Sequence, residues 1–372
     1  MPTDRVYLDH NATTPIRPEA LAAVVGALES GGNPSSVHQS GRSARAAVET
    51  ARDAVAALAG APSDSVVFTS GGTEANHLAL TGAGADRILV SAVEHDSVLA
   101  AARLSGLPVE TVAVTADGVL DLDDLTAKLG GNDGSALVSV MAANNETGVV
   151  QPIEAVVERA RSVGALVHCD AVQTAGKNPL DFTSLGVDFM TLSGHKVGGP
   201  AGVGALAVAD RATVHARQAG GGQERGRRAG TENISGIAGF GAAARLAANC
   251  ADGGRLLALR DEMEAQLSAA AVDAVIFGAN VSRLCNTSAI AMPGVSSEVQ
   301  VMALDLAGIA VSAGAACSSG KVQPSHVLQA MGFGADYGDC AIRISLGWTT
   351  TSDDIDRLVA AWTDLYRRKR AA

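Results

Sequence analysis

At 372 residues, 47% hydrophobic and 18% charged, the chain carries ample apolar material for more than one globular core and lacks the composition of a disordered segment. A net charge of −11 and a pI near 5.2 exclude a duplex-binding surface, because neutralising phosphates takes clustered Lys and Arg. No apolar run approaches the roughly eighteen residues of a membrane span, and MPTDRVYLDHNATTP shows no export signal, so the expected address is the cytoplasm.

From Ser65 to about Ala209, short valine-rich runs alternate with helical stretches. VVFTS, RILVS, VETVAV, ALVSVMAAN, LVHCDA, FMTLSG and VGALAVA read as strands. Between them TEANHLALTGA, HDSVLAAARLSG and IEAVVERARSVG repeat apolar residues at i, i+3, i+4, with Pro152 at a helix start. This alternation predicts a mainly parallel seven-stranded sheet with helices on both faces. After AGTENISGIAGFGAAARLAANC come an amphipathic helix, GGRLLALRDEMEAQLSAAA, and the strand-like runs VIFGA, NTSAIAM, IAVSAG and CAIRISLG. They predict a second, smaller α/β domain, with the boundary near residue 250 and no flexible linker, so that the two pack firmly.

Ligands of open α/β sheets collect beyond the carboxyl ends of the strands, so the residues after each run carry the chemistry. VVFTS leads into GGTEAN, where Gly71, Gly72 and Thr73 begin a helix and aim amides and a helix dipole at an anion. RILVS is followed by His95, ALVSVMAAN by Asn145, and LVHC by Asp170 and Gln173. FMTL leads into SGHK, containing Ser193, His195 and Lys196.

The chain has five lysines against twenty-three arginines. Lys128 has helix-face spacing, Lys177 lies in a GKNP turn and Lys369 in RRKR, and all three read as surface. Lys321 sits in a small-residue loop. Lys196 alone lies between strand-like runs, where an ammonium needs a partner or must lose its proton. One sheet edge thus gathers a phosphate cradle, a histidine ring, an amide, a carboxylate and a lysine. Pyridoxal phosphate needs these parts: a lysine for the Schiff base, a carboxylate for the pyridine nitrogen, and phosphate ligands. A mononucleotide P-loop is excluded, because neither Gly-Lys pair is followed by Ser or Thr. The spacing Gly202, Gly204, Ala207 runs into a strand and so does not make a dinucleotide fingerprint.

Five cysteines without a C-x-x-C pair fit reduced thiols and no zinc site. Cys169, Cys250, Cys285 and Cys340 lie in or beside strands and helices and read as packing residues. Cys317 differs, since SAGAACSSGKVQP has no strand or helix period and reads as a movable loop.

The motifs LDHNATTP, NPSSVHQSGR, TSGGTEANHLA, EHDSV, NNETG, HCDAVQTAGK, SGHKVGGPAGVGAL, GGGQERGRRAGTEN, SAGAACSSG, QPSHVLQAMG and IRISLG resemble the class V aminotransferases and, within them, the NifS/IscS-type cysteine desulfurases. The resemblance spans essentially the whole chain. It implies the fold type I of pyridoxal-phosphate-dependent transferases: residues 1–15 packing with the small domain, 16–250 as the large cofactor-binding domain, and 251–372 as the small domain carrying the Cys317 loop.

Residue by residue, the resemblance makes Lys196 the Schiff-base lysine and Asp170 the partner of the pyridine nitrogen. Asn145 and Gln173 lie near the ring hydroxyl, and His95 stacks on the ring. Gly72, Thr73, Ser193 and His195 hold the phosphate, joined by Thr231 from the neighbouring subunit of a homodimer. Asn145 and Arg343 face the substrate, with Arg343 taking its carboxylate. The implied reaction converts L-cysteine to L-alanine: Lys196 removes the α-proton, Cys317 takes the sulfur as a persulfide, and His95 helps to shuttle protons. The persulfide then passes to an iron–sulfur scaffold or another sulfur carrier.

Gly72 stands where alanine is common in the family, and Ala313 and Ala315 replace serine or glycine before the cysteine. The chain ends at LYRRKRAA without the tail by which housekeeping members grip their scaffold, leaving the acceptor open. An aminotransferase or a selenocysteine lyase on the same site are the alternatives, with a non-catalytic partner protein a more distant one.

Overall fold

The structure, a computed structural model, describes residues 5–130, 134–314 and 324–371. Strand β1 (Val6–Tyr7) precedes the seven runs read as strands, which form β2 (Val66–Thr69), β3 (Arg87–Ser91), β4 (Val109–Val112), β5 (Ala136–Met141), β6 (Leu166–Asp170), β7 (Phe189–Ser193) and β8 (Gly204–Val208). These seven make one sheet in the order β2-β8-β7-β6-β5-β3-β4. All adjacent pairs are parallel except those of β8, which runs antiparallel to both β2 and β7. β6 is almost wholly buried and β2, β3, β5, β7 and β8 entirely so, which is why they read as continuous apolar runs; only β4, at the edge, exposes residues.

Helices cover both faces. α1 (Pro18–Ser30) and α2 (Gln39–Ala59) pack with the helix Ile234–Ala247 on one face, burying Val48, Val55, Ile237 and Phe240 against Phe68, Met190 and Leu192. α3 (Gly72–Gly82) and α4 (Asp96–Leu104) cover the other, where Leu78, Leu80 and Val98 meet Val67, Ile88 and Leu206. α2 is capped by the His38 ring, which accepts from Gly41 N, and stops at Gly60 in the left-handed region.

The runs after residue 270 form β9 (Val275–Ile276), β10 (Thr287–Ala291), β11 (Ile309–Ala310), β12 (Ser312–Ala313) and β13 (Ala341–Ser345). IAVSAG, read as one strand, is split at Val311. Its first half pairs with β1 and its second with β13, in an antiparallel sheet ordered β12-β13-β10-β9. The helices Gly253–Ala270 and Ser352–Ala371 back this sheet, with Trp362 and Tyr366 stacked 6.1 Å apart and Met263 and Leu267 beneath.

The amino-terminal segment bridges the two parts. Val6 and Leu8 are buried in the core of the smaller sheet, Leu8 N donates to Ala310 O, and Ser345 N donates to Leu8 O. A few residues on, Thr14 N donates to His195 O and Arg17 N to Gly198 O, beside the large sheet.

Candidate active site

The carboxyl ends of β2, β3, β5, β6 and β7 open into one cavity of about 280 Å³. Nine of the residues singled out from the sequence line it. β2 delivers Gly72 and Thr73, β3 His95, β5 Asn145, β6 Asp170 and Gln173, and β7 Ser193, His195 and Lys196. A larger cavity of about 590 Å³ near Arg45, Glu224 and Arg227 holds none of them. Its central charges are satisfied internally: Arg52 donates to both oxygens of Glu224 at 2.8 and 2.9 Å, and Glu224 also accepts from Phe68 N. The residues singled out from the sequence therefore converge on the smaller cavity and not on the larger one.

At one end of this cavity α3 begins at Gly71, and no side chain caps it. Its first turn is free of side-chain crowding because residue 72 is glycine: a Cβ there would lie 3.0 Å from Val172 Cγ2 and 3.6 Å from Ser193 Cβ. Ser193 Oγ is buried without a hydrogen-bond partner. His195 lies beside it, held near neutrality's uncharged form by burial and by Lys196, with its pKa pushed down to about 4. An uncapped helix start, an unmatched hydroxyl and a glycine cradle suit an anion with several oxygens.

At the other end Asp170 closes β6. Val172 N donates to its Oδ1 at 3.0 Å, and Asn76 Nδ2 to its Oδ2 at 2.8 Å. Asn76 also donates to Ser97 Oγ at 2.9 Å, and Ser97 reaches His95 Nδ1 with both its backbone N–H, 3.1 Å, and its hydroxyl oxygen, 2.8 Å. Because Nδ1 accepts the backbone hydrogen, neutral His95 carries its proton on Nε2. Burial lowers its pKa, partly countered by Asp170, so the neutral ring is favoured. Beneath Asp170 the buried His168 ring lies between Ser139 Oγ, 2.8 Å, and Thr191 Oγ1, 3.0 Å, and burial pushes its pKa down to about 4.

The amino-terminal segment forms the near wall. Lys196 Nζ donates to Asn11 O and, at 2.9 Å, to Ala12 O. Asn11 also accepts from Gln173 Nε2 at 3.0 Å, while its own amide donates to Asn145 O and Thr287 Oγ1. Arg343, buried on β13, donates to Asn145 O at 3.2 Å and pairs with Asp9 at 2.8 Å, which leaves its Nε unmatched. Asp9 therefore already engages the guanidinium expected to meet a substrate carboxylate.

Thr231 is exposed and does not line the cavity. Cys317 and Lys321 lie outside the described residues. Cys169, Cys285 and Cys340 are buried and Cys250 half-buried, with burial raising the thiol pKa of Cys169, Cys250 and Cys285. No group of His, Cys, Asp and Glu fit to hold a metal ion occurs among the described residues.

One sequence expectation is overturned. Lys177 is not a surface lysine: its Nζ donates to Gln173 Oε1 at 2.8 Å and Asn11 Oδ1 at 3.1 Å, and burial beside Lys196 drives its pKa down to about 7. The turn that follows β6 folds back under the amino-terminal segment and carries the side chain inward. Asn76, Ser97 and Asn11 were also given no role by the sequence. The signal for Asn76 was a polar residue on the inward face of a helix otherwise lined by Ala75, Leu78 and Ala79.

The donor set fits pyridoxal 5'-phosphate, with an anion cradle at one end, a buried carboxylate at the other and an amine on the wall. The profile of the family described as Aminotransferase class-V matches residues 6–358. A cysteine desulfurase of Cereibacter sphaeroides is 46% identical, the match covering 99% of this chain and 97% of that protein. One of Trichormus azollae is 42% identical over 98% of this chain and 94% of its own. Among solved structures, the NifS-like protein of Rickettsia africae ESF-5 superposes with a TM-score of 0.89 at 35% identity, covering 98% of this chain and 99% of that one.

Proposed function

Because this chain belongs to the class-V aminotransferase family, we propose that its cysteine desulfurase chemistry runs on pyridoxal 5'-phosphate held in the cavity at the carboxyl edge of the large sheet. Bound there, the cofactor supplies an electron-accepting ring that stabilises negative charge on the substrate carbon. The single observation that carries this reading is the joint placement of Lys196, Asp170, His95 and the α3 amino terminus around one cavity.

The chain's own residues then have distinct tasks. Gly72, Thr73, Ser193 and His195 bind the phosphate, with Thr231 contributed by a second copy in a homodimer. Asp170, fixed by Asn76 and Val172 N, would pair with the pyridine nitrogen. Asn145 and Gln173 would hold the ring oxygen, and His95 would pack on the ring. Lys196 Nζ would be the amine that holds the cofactor and, once freed, would take the α-proton of L-cysteine. Arg343 receives the substrate carboxylate, exchanging Asp9 for it.

The thiolate of Cys317 attacks the sulfur of the bound cysteine. An S–S bond forms as the C–S bond breaks, its electron pair stays on the carbon skeleton, and protonation releases L-alanine. His95, with its proton on Nε2, exchanges protons in these steps. The enzyme is left with a persulfide on Cys317, which passes to an iron–sulfur scaffold or sulfur carrier protein. Residues 16–250 act as the cofactor domain, with 1–15 joined to the small domain 251–372. No helix among the described residues is long and apolar enough to cross a membrane, in keeping with our reading of a cytoplasmic enzyme.

The test is mass spectrometry after brief exposure of the holoenzyme to L-cysteine. One added sulfur on the peptide containing Cys317, abolished in Cys317→Ala while the visible cofactor band persists, is the expected result. Full turnover by Cys317→Ala would transfer the protein to the aminotransferases, and a preference for selenocysteine to the lyases.

A further inference from the structure

Gln173 has two ends that differ chemically: an oxygen that can only accept and an NH2 group that can only donate. Which end meets the cofactor decides whether the residue supports or repels a negatively charged ring oxygen. The Lys177 ammonium, 2.8 Å from Oε1, settles the choice, since an ammonium offers three donors and no acceptor. Turning the amide would press NH2 against NH3⁺. With Oε1 held there, Nε2 spends one hydrogen on Asn11 O, 3.0 Å away, and the other remains for the cavity that Gln173 lines.

The same ammonium orients the neighbouring amide. Asn11 Oδ1 accepts from Lys177 at 3.1 Å and from Asn286 Nδ2 at 3.1 Å, so Asn11 Nδ2 faces Asn145 O and Thr287 Oγ1. Asn145 is itself a cavity residue, and its carbonyl also takes Arg343.

Resting on the cofactor reading above, we propose that Lys177 is a positioning residue whose ammonium locks the Gln173 amide with its NH2 group as donor toward an anionic oxygen of the cofactor. When Lys177 loses its proton the amine gains a lone pair, can accept as well as donate, and the lock relaxes. The groups facing it bear on that ionisation. Lys196 and Arg343 disfavour the charge, Cys285 favours it only as a thiolate, which its burial disfavours, and His10 and His195 are held neutral by burial and by nearby lysines. Asp252, across a small shared cavity, is engaged by Arg17 and Arg255.

The experiment follows retention of pyridoxal phosphate by the holoenzyme during dialysis, read from its visible band between pH 6 and 9. We expect the wild type to lose affinity several-fold as pH rises through about 7. Lys177→Arg, which stays charged, should hold its affinity through that range, and Lys177→Met should be weak at every pH by about tenfold. In a Gln173→Met background the Lys177→Met effect should vanish. Additive effects in that cycle, or a pH profile of Lys177→Arg that still falls near pH 7, would overturn the lock while leaving the cofactor site intact. Failure of the wild type to hold the cofactor at all would remove the site reading and the lock together. If Lys177→Met does not fold, the arginine profile alone decides.

Discussion

Glu146 and Ser325, 179 positions apart, are joined by a hydrogen bond of 2.6 Å from the serine hydroxyl to the glutamate Oε2. The same oxygen would lie 3.0 Å from a Cβ placed on Gly314, so this buried carboxyl binds Ser325 and would be crowded by any side chain at position 314. Burial raises the Glu146 pKa against the opposing pull of Ser325, His326 and Arg343. Ser325 also caps the helix His326–Ala330. Ser325→Ala removes both the cap and the donor and should cost about 2 kcal/mol or more in urea unfolding, while Ser325→Thr should recover most of it. Equal stability of Ser325→Ala and the wild type would dismiss the contact.

Asp170→Asn keeps the size and one acceptor of the side chain but not its charge. Its one oxygen can still accept from Val172 N, and its NH2 group can meet the otherwise unmatched Oδ1 of Asn76 if that amide turns, so the fold should survive and the loss should appear in turnover. Steady-state desulfuration of L-cysteine is expected to fall by at least about 10²-fold, as when a fixed charge aimed at the reacting system is removed. A fall of less than about threefold would deny Asp170 its role.

Gly204 begins β8 directly against the turn that starts α3. An added Cβ would sit 2.5 Å from the carbonyl carbon of Gly71 and 2.8 Å from Leu192 O, both backbone atoms that cannot swing aside. Gly204→Ala should therefore destabilise the protein by about 1–3 kcal/mol and, by shifting the turn, weaken retention of pyridoxal phosphate. Thermal unfolding with and without cofactor separates the two effects: a wild-type cofactor-dependent shift in melting temperature would contradict the second.

His168 is buried uncharged, its pKa lowered by burial from about 6.5 to about 4. In that window the unfolded chain binds a proton that the folded chain refuses, so stability is full above about pH 6.5 and is lost as pH falls toward 4. The contribution is about 3 kcal/mol. Glu94 has the opposite sense: its buried carboxyl, raised well above the usual range, favours the fold at low pH and loses that benefit as pH rises. Denaturation curves of His168→Gln should lose one proton's worth of slope between pH 4 and 6.5. An unchanged slope would show that His168 is not the titrating group.

The seven strands were legible because strands buried on both faces leave valine-rich runs that helices do not. The reversal of β8 was not, since a run such as VGALAVA is equally apolar in either direction and its polarity follows from how the short turn Gly198–Val203 folds back. The cavity residues that follow directly on strand ends were legible because the sheet edge places them together. Lys177 was misread because its neighbours in sequence describe a turn, whereas its partners, Asn11 and Gln173, come together only once the amino-terminal segment crosses the sheet. Asn76 and Ser97 owe their importance to Asp170 and His95, contacts between elements that no local period encodes.

The wall against which Lys196 leans is made of the earliest stretch of the described chain, whose neighbours Val6 and Asp9 find their strand partners at Ile309 and Ser345. During synthesis that stretch leaves the ribosome long before Ile309 and Ser345, the partners on which it docks. The nascent polypeptide can shape its cofactor cradle early, but the catalytic wall closes last, so a truncated translation product holds no finished active centre.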